Sequence, residues 1–313
     1  MASRLAVVFP GQGSQVVGMG RDLYDEHEVV RATYDEAGSA LGFDLAEVSF
    51  EGPAETLGRT DITQPALLTN SIATLRLLQE RGLTFDVALG HSLGEYSALV
   101  ATGAVAFGDA VRLVSQRGVA MLAAAEAAPG GMAAVIGLDD AAVEALCEEI
   151  GGLWPANFNS PGQVVVSGAR EALEMLAQRA PEAGARKVMP LAVSGAFHSP
   201  LVDPAVAAMR EPLDAIDWAV PDPAFFSVCS VAYEQSGFAD LLCRQIVSPV
   251  RFTQAIRKLG SEGFESYLEI GSGSVLCGLI RRIAPEARTA RVSDASTLAA
   301  AIDGGLLWAP RSI

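Results

Sequence analysis

The sequence predicts an α/β protein: a mostly parallel, helix-covered sheet that carries a small inserted unit of β-α-β-β-α-β order. Three observations predict it. Apolar runs of strand length alternate with helically spaced stretches in the first part of the chain and again in its last third. Between one such run and a small-residue helix stands Gly90-His91-Ser92-Leu93-Gly94, a strand, a sharp turn and a helix with serine at the apex. The segment 129–196 then departs from the alternation and reads as two β-strand pairs each bridged by a helix.

The elements follow in order. Leu5 to Phe9 is an apolar strand, and Pro10-Gly11-Gln12-Gly13-Ser14-Gln15 is the loop after it. Residues 64–81 place Ala66, Leu67, Ile72, Leu75 and Leu78 at helical spacing. The run from Phe85 to Leu89 is a second strand, feeding the serine turn and a helix from Glu95 onward. After Pro129-Gly130-Gly131 comes a strand from Met132 to Leu138 and a helix from Asp139 to Ile150, with Asp139 or Asp140 as its N-cap. Trp154 to Phe158 and Gln163 to Ser167 are strands around a turn at Asn159-Ser160-Pro161-Gly162, followed by a helix over 169–180 and a strand over 187–193. This order is ferredoxin-like, and it divides the chain into a catalytic α/β domain of 1–128 and 197–313 and an inserted subdomain of 129–196. Near the end, 265–270 is a strand, Gly271-Ser272-Gly273-Ser274 a tight loop and 275–283 a helix. That loop has neither the Lys-Ser/Thr of a phosphate-binding P-loop nor a full dinucleotide fingerprint.

Composition narrows the function. At 313 residues, half of them hydrophobic, the chain has material for a large core. A net charge of -15 speaks against non-specific nucleic-acid binding. No apolar run reaches the roughly 18 residues of a membrane span, and the start, Met1-Ala2-Ser3-Arg4, lacks a cleavable leader pattern; both point to the cytoplasm. Cys147, Cys229, Cys243 and Cys277 stand far apart with no Cys-x-x-Cys pair, so they read as free thiols, and three histidines give little material for a metal site.

The chemistry centres on Ser92. Glycine on both sides lets the turn pass close to its neighbours and lifts the serine oxygen clear of the sheet. The same residues also fit a helix-capping box, Ser92-x-x-Glu95. A nucleophilic serine needs a base. His91 adjoins Ser92 and points away from it, and His27 lies in the charged run Asp25-Glu26-His27-Glu28. His198 remains, emerging just after the inserted unit. No acid shortly precedes it, and Asp203 reads as the first-turn acid of the next helix, so a backbone carbonyl is left to orient the imidazole in a Ser-His dyad. Two N–H groups are expected to face the oxyanion, that of Leu93, next after the nucleophile, and that of Gln12 in the loop after the first strand. At this stage acyl transfer to water, as in a thioesterase, acyl transfer to a carrier and a non-catalytic scaffold all remain open.

Six blocks occur in register: Pro10-Gly11-Gln12-Gly13-Ser14-Gln15, Gln64-Pro65-Ala66-Leu67, Gly90-His91-Ser92-Leu93-Gly94-Glu95-Tyr96, Gln116-Arg117-Gly118, Asn157-Phe158-Asn159-Ser160-Pro161-Gly162-Gln163 and Gly195-Ala196-Phe197-His198-Ser199-Pro200. Together they resemble the malonyl-CoA:acyl-carrier-protein transacylase family, including free-standing acyltransferases of polyketide synthases, from residue 5 to about residue 283. The resemblance implies an α/β-hydrolase-like large domain. It also implies malonyl transfer from coenzyme A to the phosphopantetheine thiol of an acyl carrier protein, through an acylated Ser92 with His198 as base and acid. It puts Arg117 on the free malonyl carboxylate, and the carbonyl that orients His198 within Ser248-Pro249-Val250-Arg251-Phe252. Phe197 stands where methylmalonyl-accepting members have a smaller residue, so it would crowd an α-methyl group. No metal and no cofactor beyond the two thioester substrates is implied, and the family suggests a monomer. Because carrier proteins are acidic, Lys187, Arg281 and Arg282 are the candidate docking residues.

Overall fold

A computed structural model describes residues 4–303. The start read for a leader, residues 1–3, and the last ten residues of the 197–313 segment lie outside them. Strand β1 (Arg4–Phe9) is followed by helices α1 (Arg21–Glu26), α2 (Glu28–Leu41), α3 (Leu45–Glu51), α4 (Ala54–Gly58) and α5 (Thr60–Glu80). Strand β2 (Val87–Gly90) leads into α6 (Gly94–Ala101) and α7 (Phe107–Ala127). Then come β3 (Gly130–Ile136), α8 (Asp140–Ile150), β4 (Leu153–Ser160), β5 (Gln163–Ala169), α9 (Arg170–Glu182) and β6 (Lys187–Pro190). The remainder holds α10 (Asp203–Asp214), β7 (Ala224–Ser227), β8 (Ala232–Tyr233), α11 (Phe238–Val247), α12 (Phe252–Ser261), β9 (Phe264–Ile270), α13 (Val275–Ile283), β10 (Arg288–Val292) and α14 (Ala295–Asp303).

The strands form two sheets. The larger has the order β10-β9-β1-β2-β7-β8 and is parallel except for β8, which returns beside β7. Its central strands are buried on both faces, as helices on both sides require. Leu5, Val7 and Phe9 point into one core, and Ala6, Val8, Val87 and Leu89 into the other. That alternation is why strand-length apolar runs, and not polar-apolar alternation, mark this sheet in the sequence. The smaller sheet has the order β4-β5-β3-β6 and is wholly antiparallel, with α8 and α9 packed around a third core of Val135, Leu146, Phe158, Val164, Val166 and Leu176. This is the ferredoxin-like order expected from the sequence. Asp139 caps α8, its carboxylate accepting from the Ala142 N–H at 2.8 Å.

One strand is shorter than its apolar run suggests: β6 stops at Pro190, where the 187–193 segment was expected to continue. The Leu191 N–H still donates to the Met132 carbonyl (2.9 Å), but the Val193 N–H folds back onto the Leu191 carbonyl (3.0 Å), and the chain leaves β3 so that Leu191 and Val193 line the cleft between the sheets. The two sheets are joined through the backbone. The Phe158 N–H donates to the Val250 carbonyl (2.9 Å), and the Val250 N–H donates to that of Ala156 (2.8 Å). The Thr253 hydroxyl adds a bond to the Phe158 carbonyl at 3.0 Å. These bonds tie the outer edge of the small sheet to the loop before α12. All four cysteines are free, three of them buried. Among the described residues, no helix is long and apolar enough to cross a membrane.

Candidate active site

The apex of the serine turn is strained in the way a nucleophile turn needs. Ser92 has φ 51°, in the left-handed region that non-glycine residues rarely adopt. A Cβ on Gly90 would lie 1.9 Å from the carbonyl carbon of Gly94, so the limbs of the turn approach only because residue 90 is glycine, and a Cβ on Gly94 would lie 2.2 Å from the Phe9 carbonyl oxygen at the end of β1. The capping-box reading fails here. Helix α6 starts at Gly94 without a side-chain cap. The Ser92 Oγ is instead 2.8 Å from the Nε2 of His198.

His198, also at positive φ (58°), is buried. Its Nδ1 faces two carbonyl oxygens, those of Gln245 (3.0 Å) and Ser248 (3.1 Å). Carbonyls only accept, so the Nδ1 carries the proton and Nε2 is the bare nitrogen, which accepts the hydrogen bond of the Ser92 hydroxyl. Only one of these carbonyls falls in the expected 248–252 segment. The other belongs to Gln245, one turn earlier on α11, and Arg251 is elsewhere, with its guanidinium 5.6 Å from the Phe158 ring centroid. Local sequence could not place these carbonyls, because any residue supplies one and only the packing of α11 decides which. Asp203 is the first residue of α10, as expected, and takes no part in orienting the imidazole.

Burial is the main cause that pushes His198 down to about 3, and the charge of Arg117 adds to it. The neutral base form therefore persists far below the ordinary imidazole value. We expect the rate of enzyme acylation by malonyl-CoA to stay level between about pH 5 and 8, with no inflection near 6.5; stopped-flow acylation across that range checks this. Stability follows the same sign. Below about pH 6.5 the unfolded chain takes up a proton on this imidazole that the folded chain refuses. Stability is thus complete above that value and falls as the pH drops toward 3. The urea midpoint should decline from pH 7 to pH 5, and His198→Gln should flatten part of that decline.

Arg117 lies on α7 and is 1 % exposed. A Cβ on Gly118 would lie 2.5 Å from the Asp61 Cα, so glycine lets α7 reach the start of α5 and sets Arg117 beside Gln64. The guanidinium donates to the Gln64 Oε1 (2.7 Å), to the Gln245 Oε1 (3.0 Å) and, at 3.3 Å, to the Ser92 Oγ. It also lies over the Tyr96 ring, 5.7 Å from its centroid. Its Nε has no hydrogen-bond partner. Among the described residues no acidic side chain forms an ion pair with it. A buried, always-charged group held only by neutral acceptors carries a desolvation cost of several kcal/mol that an anion would offset.

The cleft is a cavity of about 100 Å³ lined by Gln12, Ser92, Leu93, Arg117, Phe197 and His198, with Met121, Met132, Leu191 and Val193 as apolar walls. A second cavity of about 250 Å³ shares Gln12, His91, Asn157 and Leu191 with it and runs out along α13. The inner space suits a group of a few heavy atoms, and the outer one a longer arm. His91 is no base. Its Nε2 binds the Asn159 Oδ1 at 2.9 Å, burial lowers its pKa, and it braces the serine turn against the β4–β5 hairpin. The glycine loop after β9 is no anion cradle either. The Glu269 carboxylate already accepts the Leu276 and Cys277 N–H groups at the start of α13.

The candidate docking residues separate. The Arg282 guanidinium donates to the Gln163 Oε1 (2.7 Å), and Gln163, Ile136 and Lys187 form one row across β5, β3 and β6. Arg281 turns the other way, onto the Thr289 hydroxyl at 2.8 Å.

Residues 6–299 match the acyl transferase domain family. The chain belongs to it, among the malonyl-CoA:acyl-carrier-protein transacylases. It is 44% identical over 306 residues to the malonyl CoA-acyl carrier protein transacylase of Bacillus subtilis, covering 96% of each chain. The Escherichia coli (strain K12) protein of that name is 42% identical over 307 residues, covering 96% of this chain and 99% of its own. In three dimensions the chain resembles a malonyl-transacylase solved in complex with a type II PKS acyl-carrier protein, with TM-score 0.94 and 41% identity over 96% of this chain and all of that one. An acyl carrier protein S-malonyltransferase from Vibrio cholerae superposes with TM-score 0.92 at 41% identity, covering 95% of this chain and 99% of that one. Within this family of acyltransferases, Gln245 and Glu95 are the site residues that sequence reasoning missed. Gln245 stood in no recognisable motif, and Glu95 had only the alternative of a helix cap to suggest a role.

Proposed function

We propose that this chain transfers a malonyl group from coenzyme A to the phosphopantetheine thiol of an acyl carrier protein, by way of a malonyl ester on Ser92. The observation that carries the reading is Arg117: a buried cation with no acidic partner, 3.3 Å from the Ser92 oxygen. A planar guanidinium binds a carboxylate through two parallel bonds. The acyl group that this site favours therefore carries a second carboxylate.

The steps follow from the proton positions. His198 Nε2 takes the Ser92 proton as Oγ attacks the thioester carbonyl. The N–H groups of Leu93, at the positive end of α6, and of Gln12 stabilise the oxyanion, each worth roughly 3 kcal/mol. The intermediate collapses, and the departing coenzyme A thiolate takes the proton from His198. The carrier thiol then repeats the sequence in reverse, giving its proton to His198 and leaving with the malonyl group, while Ser92 regains its hydrogen. Both thiols bear the same arm, so one channel serves both in turn, with ping-pong kinetics. Malonyl-CoA alone should leave one malonyl group per chain on Ser92, read by intact mass. Holo carrier protein should discharge it. Free release to water as the faster route would favour a hydrolase instead.

Phe197 closes the inner cavity beside His198, and we assign it the exclusion of an α-methyl group. One methyl discriminates by about 1–3 kcal/mol, or roughly 10- to 200-fold. Phe197→Ser should raise methylmalonyl-CoA turnover relative to malonyl-CoA by a factor in that range, measured in competition.

Docking is assigned to the row that ends in Lys187 and Arg282, and to Arg281, the preceding residue of α13, whose side chain lies on Thr289. Reversing these charges should raise the apparent KM for carrier protein about tenfold or more at low salt and leave that for malonyl-CoA unchanged. Equal changes in both would remove the assignment. We further place the enzyme in the cytoplasm, as a monomer supplying extender units for fatty-acid or polyketide synthesis. The domain limits that suit this cleft are 1–128 with 197–313, and 129–196.

A further inference from the structure

Beneath the serine turn lies a buried carboxylate that the transfer chemistry does not use. Glu95, in the first turn of α6, is fully buried. Its Oε1 accepts the Val228 N–H (2.8 Å) and the Ser227 hydroxyl (2.6 Å). The Ser227 oxygen itself accepts from the Cys229 and Ser230 N–H groups, so its hydrogen goes to Glu95. The other oxygen, Oε2, accepts from the Gln245 Nε2 at 2.7 Å. Every partner of the carboxylate is therefore a donor. The Gln245 Nε2 spends its second hydrogen on the Ser92 carbonyl at 2.8 Å. The Oε1 of that amide is then the end presented to Arg117, at 3.0 Å.

We propose that Glu95 is a positioning residue: it decides which way round the Gln245 amide sits, and so holds the acceptor that aims Arg117 at the acyl carboxylate. A glutamine amide can otherwise be turned end for end within nearly the same volume. Turned over, it would set NH2 against the guanidinium and its oxygen against the Ser92 carbonyl. Burial pushes the Glu95 carboxyl up, and the bonds from Ser227, Gln245 and Val228 oppose that; with donors already on both oxygens it is a carboxylate that can only accept, and so forbids this. It also stands one amide away from Arg117 and never binds it. The guanidinium keeps a nearby counter-charge, and among the described residues no carboxylate forms an ion pair with it in place of the substrate's. This inference rests on the malonyl reading of the site.

The test is Glu95→Gln, assayed with malonyl-CoA and with acetyl-CoA, which has no carboxylate for Arg117. In the variant the side-chain oxygen stays with the Val228 N–H, an obligate donor, and NH2 faces Gln245. The amide of Gln245 then loses the acceptor that holds it and meets a second NH2, so its Oε1 is no longer fixed against Arg117. We expect the ratio of kcat/KM for malonyl-CoA over acetyl-CoA to fall about tenfold or more, mostly through KM for malonyl-CoA, with acetyl transfer changed by less than about threefold. Gln245→Met keeps the main-chain carbonyl for His198 and removes the amide. It should lose the same discrimination, and adding Glu95→Gln to it should change nothing further. Equal losses for both substrates would mark a purely structural role and overturn the proposal, as would retained discrimination in either single variant or additive effects in the double. If Glu95→Gln does not fold by thermal melting, Glu95→Asp, which draws the carboxylate back from the amide, replaces it with the same expectation. Should neither fold, Gln245→Met alone decides. A wild-type enzyme without preference for malonyl over acetyl would instead refute the malonyl reading itself.

Discussion

Replacing Ser92 by alanine abolishes the malonyl-enzyme and lowers transfer to carrier protein by roughly four to six orders of magnitude, the range found when a nucleophile is removed from a unit that acts together with its base. Two features make the loss this large. The Ser92 oxygen is held 2.8 Å from a nitrogen that is both neutral and bare, so the attacking group is prepared before substrate arrives. Both reacting residues also sit at positive φ, 51° for Ser92 and 58° for His198. Such backbone costs of order 1–3 kcal/mol each, and the surrounding fold maintains it. Alanine keeps the turn and removes the oxygen. Circular dichroism and thermal melting should therefore match the parent, while intact mass after incubation with malonyl-CoA shows no added malonyl group. A Ser92→Ala protein that still transfers malonyl at the parent rate would sink the mechanism.

Arg117→Ala should separate substrates instead of abolishing chemistry. Two hydrogen bonds from a charged donor are worth about 3 to 6 kcal/mol in a site shielded from water, or roughly two to four orders of magnitude in kcat/KM for malonyl-CoA. Acetyl-CoA has no carboxylate to lose. Removing an unpaired buried charge also makes the cavity more hospitable to an uncharged acyl group, so acetyl transfer should hold or rise. Competition between labelled malonyl-CoA and acetyl-CoA measures the reversal directly. Indifference of both substrates to the change would fit a hydrolase of neutral esters. Lysine at this position should recover only part of the loss, since an ammonium cannot reproduce the planar fork. Gln64 and Gln245 each lose the donor that their Oε1 binds, while the Gln64 Nε2 keeps the Met121 sulfur at 3.6 Å and the Gln245 Nε2 keeps Glu95 and the Ser92 carbonyl.

Much of this was readable along the chain. Ser92 announces itself because a nucleophile turn imposes glycine at two fixed positions, a constraint written entirely in neighbouring residues. His198 emerges by elimination among three histidines. The order of the small sheet follows from strand-length apolar runs alternating with helices. Arg117 was silent: it reads as an ordinary helix arginine, and only family resemblance lifted it out. Its meaning lies in what does not touch it, an absence of acidic partners that no local pattern can express. Gln245 was silent for a related reason, since it acts at once through its carbonyl on His198 and through its amide on Arg117, Ser92 and Glu95. Glu95 was visible only as half of an alternative, because Ser-x-x-Glu before a helix also has the spacing of a cap, and the burial of its carboxylate against Ser227, Val228 and Gln245 excludes that role.

What the sequence by itself determined is therefore the class of fold and the serine and histidine that we propose as nucleophile and base, for these depend on period, turn chemistry and residue type, which are local. What only the tertiary structure decided is the electrostatics of the site. Whether the Arg117 charge is neutralised, which nitrogen of His198 holds the proton and which way the Gln245 amide faces are set by groups from α5, α6, α7 and α11. Those segments lie far apart in the chain, Ser92 and Gln245 by 153 residues, and they meet only when the helices on one face of the large sheet have packed into one core. Hydrogen bonds and buried charges act over a few ångströms, so their partners are a property of the fold and not of the neighbourhood in sequence.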